Sequence, residues 1–238
     1  MTAPLPLLLA WSGGKDSAWA LHVLRQRDDV DVVALLTTLT EGFDRSSMQG
    51  IRREVLQTQA DAAGLPLLQS WIPQGCDNTR YEQAFARSLE DAALRWPGLR
   101  CIAFGDLLLA DIRQWREDLC ARLGWRAHFP LFGSDTAVLA REIIDAGVRA
   151  SLCCIDTNQL DASFAGRAFD FALLDELPAV TDPCGENGEF HTCVQFGPMF
   201  GGAIGLRKGE TLLRDGRFAY TDFKLAESAL DQPSRPGL

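Results

Sequence analysis

The chain has 238 residues, 47% hydrophobic and 23% charged, with a formal net charge of −9 at pH 7. That length can bury roughly 70% of the unfolded surface, in one large domain or in a main domain with a smaller second one. The acidic balance argues against a partner held by phosphate-backbone contacts. No stretch approaches the roughly 20 apolar residues that span a bilayer, and the start shows no basic region or cleavage-like site.

In chain order, residues 5–11 predict a buried first strand and residues 17–27 a helix. Residues 30–38 (VDVVALLTT) are β-branched and nearly continuously apolar, as in a strand covered on both faces. A helix over 48–63 is stopped by Gly64, with Pro66 beyond it. A short strand follows at 67–72, then a strongly amphipathic helix at 79–95 closed by Pro97-Gly98, then a strand at 101–104 that ends in Gly105-Asp106. Further on, the pattern predicts a helix at 136–146, a strand at 149–156 and a short helix at 168–177. A glycine- and acid-rich loop at 181–200 and a β-like tail at 203–223 complete it.

This alternation predicts an α/β protein with a parallel sheet and helices on both faces. Residues 1–132 would form the main domain, 133–225 a smaller C-terminal α/β domain, and 226–238 a polar, proline-bearing flexible tail. Ligands of such sheets sit beyond the carboxyl ends of the strands. Residues 11–17, 37–44 and 105–111 all fall at such ends and are expected to converge. The seven cysteines form no C-x-x-C pair and have no zinc spacing with the three histidines, which suits reduced, buried thiols in a cytosolic protein.

Two segments carry more polar chemistry than their turns require. After the first strand comes Ser12-Gly13-Gly14-Lys15-Asp16-Ser17, a glycine loop opening a helix. Free N–H groups and the positive end of the helix dipole attract anions there, glycines allow close approach, and the two hydroxyls and Lys15 suit phosphate. Asp16 fits only as a helix cap or a metal ligand. The G-x-x-x-x-G-K-[ST] phosphate loop would need glycine where Leu9 stands, and G-x-G-x-x-G is absent. The second segment, residues 182–192, reads DPCGENGEFHT. Its carboxylates can hold Mg²⁺, or its donors and base can surround an acid or an amine, or the glycines can simply make a solvated turn.

SGGKDS resembles the pyrophosphate loop of ATP pyrophosphatases. Together with DPCGENGEFHT it resembles the diphthine–ammonia ligase family over roughly residues 5–220. AAGLPL at 62–67, FGDLLLADIRQWRE at 104–117, FPLFG at 129–133 and GPMF at 197–200 are also similar. SSMQGIRRE at 46–54 and LDASFAGRAFD at 160–170 look closest to a bacterial, adenine nucleotide α-hydrolase-like branch. Gln49 departs from that branch, where a histidine is expected.

The resemblance implies a Rossmann-like nucleotide-binding sheet, of the class shared with universal stress proteins, and a C-terminal part bearing the second loop. It further implies an ATP-dependent ligase that adenylates a carboxylate, releases pyrophosphate and forms an amide with ammonia or an amine. Ser12, Gly13, Gly14, Asp16 and Ser17 would cradle the pyrophosphate with Lys15 beside it, and Thr37 and Gly105 would also lie toward ATP. Asp16 and Asp106 would serve Mg²⁺. Lys15, Asp106, Glu186, Glu189 and His191 are the catalytic candidates, His191 as a base or as a loop-stabilising partner. Arg116, Glu117, Asn187 and Thr192 are the substrate candidates, although Arg113, Arg116 and Glu117 equally suit an ion-paired helix face. A carboxylate substrate and ammonia or an amine are the expected partners, with no nucleic acid and no membrane, a cytoplasmic setting, and a homodimer left open. Two competing readings are a tRNA-modifying enzyme with the same loop, disfavoured by the acidic charge, and a non-catalytic ATP or AMP sensor, disfavoured by the second loop.

Overall fold

The computed structural model describes residues 3–226. The elements run β1 (Leu5–Ala10), α1 (Lys15–Arg25), β2 (Val30–Thr40), β3 (Arg45–Ser46), α2 (Arg53–Ala63), β4 (Leu67–Ile72), α3 (Asn78–Arg95), β5 (Cys101–Ala103), α4 (Ala110–Arg122) and β6 (Arg126–His128). Then come α5 (Thr136–Asp145), β7 (Arg149–Asp156), a short 3-10 turn, α6 (Phe171–Glu176), β8 (Phe190–Phe196), β9 (Leu206–Arg214) and β10 (Phe218–Leu225).

Strand β1 explains the first layer. Side chains alternate across a strand, so Leu7 and Leu9 face one side and Leu8 the other. Leu8 packs with Ala34, Leu36 and Ile102 against Phe85 and Leu89 of α3 and Leu119 of α4. Leu7 and Leu9 join Leu35 and Ala103 against Leu21 of α1 and Leu56 of α2. All three leucines are fully buried, each worth about 1.5–3 kcal/mol relative to exposure. The sheet runs β4-β2-β1-β5-β6 with parallel pairing, and β3 adds an antiparallel bridge at the end of β2. Strand order reverses direction at β1, which opens a crevice between the carboxyl ends of β1 and β5.

The second sheet is antiparallel, in the order β8-β7-β10-β9. Its inner residues Leu152, Cys193, Val194, Ala219 and Phe223 belong to the same core as Leu21 and Leu56. Helices α1 and α2 therefore lie between the two sheets, touching β8 and β10 respectively. Among the described residues no helix is long and apolar enough to cross a membrane. The described cysteines are all free, six of them buried, in keeping with the expectation of reduced, buried thiols.

Three differences from the sequence reading have local causes. The helix expected from residue 48 starts at Arg53, because Ser46 pairs with Ile51 through its backbone and hydroxyl and folds 47–50 into a turn. The loop expected over 181–200 contains β8, whose residues pair with β7. Strands β3 and β6 are too short to produce a periodic signal, and α4 has only Leu119 and Cys120 buried. Of the expected flexible tail, residues 227–238 lie outside the described residues.

Candidate active site

The glycine loop is shaped from three directions. Gly13 has φ +79°, and a Cβ there would come within 2.7 Å of Gln59 Oε1 and of the Leu56 side chain. Gly14 caps α1 in an extended conformation with no side-chain cap, and a Cβ there would lie 3.0 Å from the Thr192 carbonyl. From the opposite side Gly105 approaches the first turn of α1, where a Cβ would meet Asp16 C and Ser17 N at 3.0 Å. The Gly14 amide donates to Ser12 Oγ (3.3 Å) and the Lys15 amide to Thr192 Oγ1 (3.0 Å). The Asp16 and Ser17 amides have no protein partner among the described residues. Two N–H groups without a partner among the described residues at a helix N-terminus, beside the paired Ser12 and Ser17 hydroxyls (3.1 Å), can seat an anion.

Gln59 belongs to neither motif, yet it is fully buried and holds the loop from behind. Its amide nitrogen donates to the Gly13 carbonyl (3.0 Å) and the Val194 carbonyl (2.7 Å). Its oxygen accepts from Trp11 Nε1 (3.1 Å). Motif reasoning misses this residue, although the sequence holds a signal for it. Gln59 shares the face of Val55 and Ala63 on α2, a polar side chain on an apolar stripe. Gln59→Leu strands the Trp11 and Val194 groups at a cost of about 1–3 kcal/mol each. We expect thermal unfolding to drop by roughly 5–10 °C for a chain of this size; a shift below about 2 °C would show the clamp to be dispensable.

A cavity of about 670 Å³ opens in the crevice. Ser12, Asp16 and Ser17 line one wall, Leu36, Thr37 and Thr38 another, and Tyr81, Phe85 and Phe104 a third. Gly105, Asp106 and Arg116 reach it from the β5–α4 segment, and Glu186, Asn187 and His191 from the second loop and β8. Thr37 is 1% exposed and its hydroxyl has no partner among the described residues. A buried unpaired hydroxyl on a cavity wall is costly unless a ligand or water satisfies it.

The second motif also reaches the β5–α4 segment. Glu186 Oε2 accepts from the Leu107 amide (3.1 Å) and the Leu108 amide (3.3 Å). Burial, with the Asp16 carboxylate nearby, raises the Glu186 carboxyl to about 7. Burial lowers the His191 imidazole, as does Lys15, so at neutral pH it is a neutral ring able to accept a proton. Burial pushes the Cys184 thiol up to about 12, which leaves no thiolate nucleophile in this loop.

Other candidates occupy supporting positions. Glu189 is buried, and its carboxylate accepts from the Asp182 amide and from the backbone and side chain of Asn187. Thr192 is buried beneath the glycine loop, and neither Thr192 nor Glu189 lines the cavity. Glu117 pairs with Arg113 along α4 (2.8 Å) and is also off the wall. Arg116 lies over the Phe104 ring (4.4 Å) and 2.9 Å from Asp106, in an ion pair whose N–H is not aligned as a hydrogen bond. Among the described residues no three His, Cys, Asp or Glu side chains cluster as a metal site. Asp16 and Asp106 both reach the cavity, each already beside a cation.

Comparison with known proteins decides the family. The model of the diphthamide synthase N-terminal domain matches residues 7–127, and that of the diphthamide synthase C-terminal domain matches residues 135–224. This chain belongs to the diphthamide synthase family. One relative of this family member is a protein of Schizosaccharomyces pombe named diphthine–ammonia ligase, 25% identical over 206 residues. The alignment covers 79% of the family member described here and 34% of the yeast protein, so the chain spans about a third of that relative's length.

Proposed function

We propose that this protein is an ATP-dependent ligase that cleaves ATP to AMP and pyrophosphate while activating a carboxylate, then joins the acyl group to ammonia or an amine. The observation that carries the reading is the meeting of the two motifs at one cavity, with Glu186 bonded to the β5–α4 segment and Thr192 bonded to the glycine loop. A nucleotide store needs only the first loop; a two-step transfer needs a second set of polar groups facing it. The name of the yeast relative and the family match support the same class.

In this reading the pyrophosphate rests on the free amides of Asp16 and Ser17 and the hydroxyls of Ser12 and Ser17, which places the α-phosphorus toward the open cavity. Thr37, whose hydroxyl has no partner among the described residues, faces the nucleoside. Mg²⁺ would arrive on the phosphates and use Asp16 or Asp106 as its protein ligand, since Mg²⁺ is held through one or two carboxylates plus phosphate oxygens. Arg116, aligned on Phe104 and Asp106, is the candidate anchor for the substrate carboxylate. Glu186, with its raised carboxyl, is the acceptor for a proton from the incoming ammonium, and His191 is a neutral ring lining the same cavity. Glu189 and Asn187 shape the loop that presents Glu186. The division between the two domains is placed at 132/133, in the segment between β6 and α5. The screen that tests the reading offers carboxylates and amines in turn and measures AMP. Tight ATP binding with no AMP from any pair would favour a sensor instead.

A further inference from the structure

Lys15 is the residue of the glycine loop that a phosphate site would be expected to use, yet its side chain is in the wrong place for that task. It is 1% exposed and does not line the cavity. Its Nζ lies 2.9 Å from Asp16 Oδ1, donates to the Cys184 carbonyl, and sits 5.5 Å from the ring centroids of both Phe169 and Phe190. Burial disfavours the charged amine, but the Asp16 carboxylate beside it, together with Cys184 and Glu186, offsets this and keeps the amine above its ordinary range. The cation is thus enclosed by a carboxylate, a carbonyl and two aromatic rings, an arrangement in which it is stabilised without solvent.

We infer that Lys15 is a positioning residue that ties the second loop to the glycine loop, and that it does not contact the pyrophosphate. The physical reason lies in the partners it joins. Asp16 is on the first turn of α1, Cys184 is two residues before Glu186, and Phe190 immediately precedes His191. One buried cation therefore sets the distance between the anion seat and the proton-accepting groups. Moving the amine to a phosphate would strip the Cys184 carbonyl of its donor and leave the Asp16 carboxylate unpaired beside Glu186. The anion seat does not require the amine, because its donors are backbone amides and hydroxyls.

This inference rests on the proposed ligase reading, and its test separates the two. Lys15→Met keeps the length and apolar stem of the side chain and removes the charge and donors; Lys15→Gln retains one donor toward Cys184 and serves if the methionine variant does not fold. The measurements are calorimetric affinity for Mg²⁺ with a non-hydrolysable ATP analogue, amide hydrogen exchange over 182–191, and AMP formation with the best carboxylate–amine pair. The expected result is analogue affinity within about threefold of wild type, faster exchange over 182–191, and turnover reduced at least 100-fold with KM for ATP little changed. A 100-fold loss of analogue affinity with unchanged exchange would make Lys15 a phosphate ligand and overturn the inference, as would a variant unchanged in all three. If wild type itself fails to bind the analogue, the ligase reading falls, while faster exchange in the variant still upholds the tie.

Discussion

Glu186→Gln is expected to leave ATP affinity within about threefold of wild type and to reduce amine-dependent turnover at least 100-fold. Glutamine keeps the carbonyl oxygen that accepts from Leu107 and Leu108, so the bond to the β5–α4 segment survives. What is lost is a carboxyl held near 7, which the proposed reaction uses to take a proton from an ammonium ion. The wild-type rate should therefore rise with pH through an apparent pKa near 7, and the glutamine variant should lack that limb. The stability effect has the opposite sign. A carboxyl raised above its unfolded value favours the protonated fold, so its contribution is complete below about 4.5 and is lost as pH rises through about 7. Relative to wild type, Glu186→Gln should gain stability as pH rises from about 4.5 to about 7 and keep that gain above it. Loss of ATP binding in this variant would move Glu186 from the amine side of the site to the nucleotide.

The other large effect is expected from Gly13→Ala. Position 13 combines φ +79° with Gln59 and Leu56 only 2.7 Å from where the new methyl would stand, so both backbone strain and overpacking oppose the change. Each costs on the order of 1–3 kcal/mol. Relief by moving the loop would break the bonds that Gln59 and Val194 make to the Gly13 carbonyl (3.0 Å each) and shift the free amides of α1. Calorimetry should find ATP affinity reduced more than 100-fold, with thermal unfolding lowered by several degrees. An alanine variant that binds ATP as wild type does would show that the seat for the phosphates lies elsewhere.

Much of this site can be read along the chain, for physical reasons that differ by residue. The glycine loop is legible because a strand, two glycines and a helix start must be consecutive to make an anion seat. The second loop is legible as a polar run but not as a structure. That Glu189 braces the loop while Glu186 reaches across to Leu107 depends on contacts between residues up to 79 positions apart. Lys15 is legible in type but not in placement: its neighbours suggest phosphate, while its burial depends on Phe169, Cys184 and Phe190, far along the chain. In the fold, strands such as β1 and β2 declare themselves by nearly continuous apolar residues. The three-residue β6 and the two-residue β3 cannot, since neither completes enough periods for a pattern.

The most direct test of the central claim is the product of ATP turnover. With a productive carboxylate and ammonia, phosphorus NMR should show AMP and pyrophosphate in equal amounts, and the carboxylate alone should support exchange of labelled pyrophosphate into ATP. ADP and orthophosphate as products, or AMP formed with no carboxylate dependence and no exchange, would contradict the account.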